Sequence, residues 1–430
     1  MRGVQKSDSR GTFIVGLMVL GVMLSAGKCA DTELLDSIDE ADPEVSDEGQ
    51  EEGDDPTSDT DESSSTDNDI DKTFTGVDLL VVIDNSGSMA EEQALLMNGL
   101  FGLMGNLAAV LPEAAADNVR VGMVTSDLGL QYGDDSSTTS ISGPVDSCED
   151  PDGEDGRLVT LRDGVVTVRL SSDILSCTDC PNGIVTEGDT TFIDCTELDM
   201  PADGILGEDA ESFVEFGAQL ACTAQVGTDG CGIEQQLKAA IRGIRENGSF
   251  LVEDHLLGVL VVSDEEDCSI ESVDLFSTEE WQSGAAQMLN VACNINGNGQ
   301  YLIDPADYKD ILVNLKGAED EVVFGAIVGV PASDNTCQGT GDELEGCLSH
   351  PRMQLELATF ETPDGYQYTH FSPACSRIED DVEVTTARPG RRYVEVAQEF
   401  GENGVVASIC NSDFSPFMLR LAQNLASRFE

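Results

Sequence analysis

The sequence predicts an α/β fold, a doubly wound and mainly parallel sheet with helices on both faces, interrupted by two disulfide-bearing insertions. Three observations carry this expectation. Two strongly apolar runs, Leu79 to Ile83 and Leu256 to Val262, are rich in β-branched residues and end in polar loops, as strands buried on both faces of a parallel sheet do. Stretches with apolar residues at helical spacing come between and after them. Long polar, cysteine-bearing stretches at about 129–212 and 331–389 break this alternation and read as insertions.

The chain has 430 residues, 24% charged and 40% hydrophobic, enough for one large domain with insertions or two small ones. Its formal net charge of −62 excludes nucleic-acid binding, which needs a basic surface to meet phosphates. Most of the carboxylates are expected to form a solvated acidic surface. Arg2, Lys6 and Arg10 precede an apolar run from Phe13 to Leu24 and the small residues Ser25-Ala26-Gly27, the pattern of a secretory signal peptide over 1–30. That run is too short for a comfortable bilayer span. Residues 31–72 are dominated by Asp, Glu, Ser and Thr and contain no aromatic side chain. They cannot bury enough apolar surface to offset their ordering entropy, so a disordered, charge-extended tether is expected before a domain over 73–430.

From Met89 to Leu111, Leu95, Leu96, Leu100, Leu103, Met104 and Leu107 recur at helical spacing and stop before Pro112. Val119 to Thr125 reads as a strand. Arg157 to Leu170 alternates enough to supply strands within the first insertion, while the second, from Pro331 to Pro389, reads as irregular. Glu208 to Cys222 and Gly232 to Arg245 read as helices flanking a Gly-rich turn at Thr228. His255 to Ser263 is the second buried strand. Asp307 to Leu315 follows as a helix, Val322 to Val330 as a strand, Arg391 to Phe400 as a helix, Val405 to Ile409 as a strand and Phe417 to Phe429 as an amphipathic helix.

The 13 cysteines include Cys29 beside the expected cleavage site, and setting it aside leaves an even number, which in an exported chain suggests disulfides. Proximity and order pair Cys222 with Cys231, Cys268 with Cys293, and Cys337 with Cys347. Cys177-Thr178-Asp179-Cys180 has the spacing of half a zinc or redox site, but no second such pair accompanies it, so a structural disulfide is expected. The spacings of His350 and His370 to nearby cysteines match no metal template. Leu24 to Cys29 is similar to the lipobox of bacterial lipoproteins stretched by one residue, which makes Cys29 a candidate for lipidation. Lys28 departs from the small residue expected there, and simple cleavage after Gly27 is the alternative.

The apolar run ending at Ile83 leads into Asp84-Asn85-Ser86-Gly87-Ser88, at the carboxyl end of a strand, where ligands bind in open α/β sheets. This stretch resembles the D-x-S-x-S signature of von Willebrand factor A domains, a Rossmann-like family, and with it half of a metal-ion-dependent adhesion site. The resemblance implies Thr228 as the next metal ligand and Asp264, at the end of the second apolar run, as the remaining acidic one. Glu265 stands where the family has glycine, which leaves Asp264 and Asp267 as alternatives. The three partial signatures occur in the family's order and span the chain from Val77 onward.

What the resemblance implies is a Mg²⁺ site, open also to Ca²⁺ or Mn²⁺, formed by Asp84, Ser86, Ser88, Thr228 and Asp264. Its neutral hydroxyl ligands would leave much of the ion's charge free to attract a partner's Asp or Glu. The expected function is therefore that of an exported cell-envelope protein, periplasmic or on the outer surface, that captures a protein partner by metal-dependent adhesion. Membrane attachment would come only through an N-terminal lipid. Glu265, Glu266 and Asp267 are expected to crowd the rim with negative charge. The alternative is a surface protein whose domain is a scaffold and whose insertions bind. An enzyme is not expected: the chain has no G-x-S-x-G elbow, and Ser86 and Ser88 have no evident partner among its 3 histidines.

Overall fold

The structure, a computed structural model, describes residues 73–132, 139–140, 148, 153–160, 165–168, 184–187, 190–208, 210, 212–278, 289–295, 300–361, 365, 367–379 and 382–429. The expected signal peptide and tether, and with them Cys29, Cys177 and Cys180, lie outside the described residues.

A six-stranded sheet contains β1 (Gly76–Ile83), β2 (Val119–Thr125), β3 (His255–Val262), β4 (Val322–Val328), β5 (Gly339–Thr340) and β6 (Gly404–Ser408). Their spatial order is β5-β6-β4-β3-β1-β2, and every neighbouring pair is parallel except β5 with β6. β1 to β4 and β6 are buried at every residue. Burial on both faces is the reason their sequences are continuous apolar runs instead of alternating ones. Successive side chains of β1 enter two cores, Leu79, Val81 and Ile83 on one face and Leu80 and Val82 on the other.

Each core is closed by helices. They are α1 (Ala90–Val110), α2 (Phe213–Ala224), α3 (Gln236–Glu246), α4 (Pro305–Lys316), α5 (Arg391–Glu399) and α6 (Ser415–Ala426). α1, α2 and α6 pack on the first face, α3, α4 and α5 on the second. α1 carries Glu91 and Glu92 in its first turn, where carboxylates suit the positive end of the helix. It stops at Leu111, which Pro112 forces into extended backbone (φ −75°, ψ 151°). α2 starts later than Glu208, because Ser212 caps it by accepting the Glu215 N–H at 3.2 Å.

The chain passes from β1 to β2 on one side and then to β3 on the other side of β1. The order therefore reverses between β1 and β3, and the loops after Ile83 and Val262 flank the switch point.

The first insertion supplies a strand within Arg157 to Leu170, as expected, and the second departs from expectation. In the first, Val165–Val168, Ile184–Glu187 and Thr190–Asp194 form a separate antiparallel sheet. The second is not irregular. It contains β5 and two antiparallel hairpins, Leu357–Glu361 with Gln367–Phe371 and Cys375–Glu379 with Val382–Ala387. Most of these hairpin residues are at least partly exposed, so they have no apolar run to announce them.

Cys268 pairs with Cys293 and Cys337 with Cys347. The expected Cys222–Cys231 bridge is replaced by Cys195–Cys222 and Cys148–Cys231, with Cα atoms 5.8 and 4.4 Å apart. The reason is that Cys222, in α2, faces the same core as Cys195, whereas Cys231 belongs with Cys148 to a small satellite core around Ile233 and Ile270. A fifth bridge, Cys375–Cys410, ties the second hairpin to the end of β6. Non-reducing peptide mapping is expected to return these pairs. Replacing both Cys375 and Cys410 by serine should cost about 3–4 kcal/mol in denaturant unfolding, from the chain entropy of a loop of this length. An unchanged midpoint would show that the bridge adds nothing to the fold.

Candidate metal and adhesion site

The site is built at the switch point. Asp84 extends the parallel ladder by donating its N–H to Val262 O at 3.0 Å. Its carboxylate turns inward and is 0% exposed. Oδ1 accepts the Ser86 N–H at 2.8 Å, closing an Asx turn that shapes the serine loop. Oδ2 accepts the Ser263 hydroxyl at 2.6 Å and the Gln236 amide at 3.2 Å. Burial pushes the Asp84 carboxyl up, and these hydrogen bonds oppose the shift without cancelling it. Beyond the turn, the Ser86 and Ser88 hydroxyls lie 3.3 Å apart, and Met89 then leads into α1.

The loop carrying Thr228 is held against this turn. Gly230 donates its N–H to Asn85 O at 2.9 Å, and a Cβ at Gly230 would collide with the Asn85 side chain and have to displace it. Gln93, in the first turn of α1, donates to Gly227 O at 2.8 Å and to Asp84 O at 3.2 Å. The Thr228 carbonyl lies 4.0 Å from the position of a Cβ on Gly87, so the threonine loop runs alongside the serine loop.

The four acids after β3 have four different roles. Asp264 is 2% exposed, and its Oδ1 is buried without a hydrogen-bond partner in the protein. Burial holds its carboxyl well above the usual range, and the charges of Glu265 and Asp84 add to this while a Ser88 hydrogen bond opposes it. Glu265 faces His370, whose Nε2 is 3.5 Å from Oε2. His370 Nδ1 accepts the Phe371 N–H at 2.8 Å, which assigns the ring proton to Nε2. Burial and then Arg388 push that imidazole down to about 3, so it is neutral.

Glu266 accepts the N–H groups of Arg391 at 2.9 Å and Arg392 at 3.1 Å, the unpaired donors at the start of α5. Asp267 accepts Leu237 N–H at 3.0 Å, at the start of α3, and the Arg392 Nε–H at 3.0 Å. Of the two alternatives left open by the sequence, Asp264 therefore meets the Asp84 loop and Asp267 is occupied elsewhere. The expected acidic rim is corrected too: Glu266 and Asp267 are buried and turned to helix ends.

Asp84, Ser86, Ser88, Thr228 and Asp264 thus come together at one end of the sheet. Asp84 and Asp264 are both buried with raised carboxyls, the charge of Asp84 adding to the shift of Asp264, whose Oδ1 is orphaned; a cation would favour their ionised forms, and every donor offers oxygen, the chemistry that Mg²⁺ and Ca²⁺ select. The residues present fit a hard divalent cation. Among the described residues no three His, Cys, Asp or Glu side chains form a group that could hold a metal, so a cation here would depend on the hydroxyls. His255 and His350 are engaged elsewhere, with Asp78 at 2.9 Å and Asp334 at 3.4 Å. Ser263, Gln236, Gln93 and Asn85 hold the loops, and only the positions of Ser263, next to Asp264, and of Asn85, inside the serine motif, mark any of them in the sequence.

No protein-family model matches the chain, and no curated protein matches it. Among solved structures, the adhesive tip pilin GBS104 from Group B Streptococcus agalactiae aligns with 81% of this chain and 98% of its own at 11% identity. The TM-score of 0.27 is too low for that likeness to bear on fold or function.

Glu266 supplies a test of this electrostatic arrangement. Burial pushes its carboxyl from 4.5 up to about 8, against the pull of Arg392. The folded state therefore holds this proton more tightly than the unfolded chain does. The resulting stability is complete below about 4.5 and is lost as pH rises to about 8. Denaturant unfolding across this window should show that decline, and Glu266→Gln should flatten it. An equal slope in the variant would assign the titration to another group.

Proposed function

We propose that this chain is an exported cell-envelope protein of the von Willebrand factor A type. On this reading its switch-point site binds a divalent cation and uses it to capture a protein partner through an exposed Asp or Glu. The observation that carries the proposal is the buried, unpartnered Asp264 Oδ1 beside the equally buried Asp84. Such a pair is costly unless a cation joins it. The five disulfide pairs among the described residues support the exported compartment.

Ser86, Ser88 and Thr228 would offer neutral hydroxyl oxygens to Mg²⁺, with Ca²⁺ or Mn²⁺ as substitutes. Asp84, fixed by Ser263 and Gln236, orients the serine loop through the Ser86 N–H. Asp264 orients Ser88 and balances charge. When bound, the cation supplies an electrophilic position that a partner's carboxylate can occupy. Glu265, drawn toward His370, and the inward Glu266 and Asp267 lessen the repulsion such a carboxylate would meet. The role is binding and not catalysis.

One observation favours a second reading, that of a scaffold whose insertions bind. The second insertion abuts the site, with Arg388 N–H on Asp264 O at 2.8 Å and the Thr385 hydroxyl on Glu92 at 2.5 Å. Chelation separates the two readings, since capture by the insertions would survive metal removal.

Calorimetric titration of the chain with Mg²⁺, Ca²⁺ and Mn²⁺ is expected to show saturable binding that Ser86→Ala abolishes without loss of fold. Ser86→Ala and Thr228→Ala should both abolish partner capture, and unchanged capture in both would remove the site from the mechanism. Because the Asp84 and Asp264 carboxyls are raised in the free protein, cation binding should release protons and weaken as pH falls. Binding heats independent of buffer ionisation enthalpy would contradict this.

A further inference from the structure

We infer that Gln93 is the positioning residue that fixes Thr228 against the serine loop and thereby sets the cation affinity of the site; the inference rests on reading that site as cation-binding. Gln93 is 4% exposed, in the first turn of α1, and its side chain reaches two carbonyls, the farther of them 134 residues along the chain from Gln93 itself. A primary amide has two N–H donors, and this one directs them to Asp84 O at 3.2 Å and Gly227 O at 2.8 Å. The orientation is fixed by the acceptors themselves: with oxygen and nitrogen exchanged, the amide oxygen would confront two carbonyl oxygens.

The two acceptors belong to the two loops whose hydroxyls must converge. Asp84 opens the turn that presents Ser86 and Ser88. Gly227 immediately precedes Thr228 and has a left-handed backbone (φ +86°), which sets the direction of its carbonyl. Past Thr228 the loop is pinned again, by Gly230 N–H on Asn85 O at 2.9 Å and by the Cys231–Cys148 bridge. Thr228 is partly exposed, so its position comes from these pins on either side. Among them, Gln93 is the one that ties the approach to Thr228 directly to the residue opening the serine turn. An apolar side chain of the same length would fill the space but leave both carbonyls without that donor, and the loop would be free to move away.

The test uses the full chain. Gln93→Met keeps the length and burial while removing both donors. Without metal, amide hydrogen exchange over 227–231 should become faster in this variant. Its affinity for Mg²⁺ and Mn²⁺ should weaken about tenfold, the scale of losing one to two such hydrogen bonds. Gly227→Ala reaches the same hydrogen bond from the other side: no atom lies within 4 Å of the added Cβ, so packing is not disturbed, but the left-handed backbone resists a side chain. It should weaken cation binding as well, and the double variant should be no weaker than the worse single variant, because both remove one interaction.

Unchanged exchange in Gln93→Met, or losses that add in full in the double variant, would overturn the inference. If the unaltered chain bound neither cation while the variant still exchanged faster, the cation-binding reading would fail and the assigned role with it. That failure is distinct, because exchange is measured without metal.

Discussion

The buried carboxylate of Asp84 is the constraint on which the rest of the site depends. It sits where the sheet changes direction, and a charge there must be satisfied from the elements that surround it. Three of them respond: the serine turn through Ser86 N–H, β3 through Ser263 and the start of α3 through Gln236. One side chain thus joins the two central strands and a helix from the opposite face. Asp84 turns the backbone beneath Ser86 and Ser88 and so brings their hydroxyls within 3.3 Å of each other.

The run Asp264-Glu265-Glu266-Asp267 shows how environment divides four chemically similar groups. Helix starts present backbone N–H groups without intrahelical partners, and two of the four acids are consumed in satisfying them. Glu266 serves α5 and Asp267 serves α3, and Arg392 sits beside both. Glu265 is drawn sideways to a neutral His370. Asp264 alone is left with an unfilled oxygen next to Asp84. The same loop therefore stabilises the helices behind the site and leaves one buried, unfilled carboxyl oxygen beside Asp84.

The insertions are tied to this arrangement covalently. Cys148–Cys231 fastens the first insertion just beyond the threonine loop, and Cys375–Cys410 fastens the second beside the end of β6. The Arg388 N–H on Asp264 O brings the second insertion against the loop after β3. The surroundings of the site are in this way set by segments far outside the sheet's own connections.

Buried parallel strands must be apolar along their whole length, and helices on a sheet must carry an apolar stripe, so the two central strands, the large helices and the layered fold were legible in the sequence. The loops carrying Asp84, Ser86, Ser88 and Asp264 were marked by the buried runs before them, whereas Thr228 came only from the family resemblance, since its loop follows a helix and no buried strand. The hairpins of the second insertion were not legible, because strands exposed on both faces need no periodic pattern. Nor were the partners of Cys222 and Cys231: nearness in sequence says nothing about which core a side chain enters. The choice between Asp264 and Asp267, and the holding roles of Gln93, Asn85, Gln236 and Ser263, depend on donors contributed by distant segments. Composition and periodicity determine which segments are buried. Which buried polar group meets which partner is decided only when the tertiary structure brings the helix starts and loop carbonyls within hydrogen-bond reach.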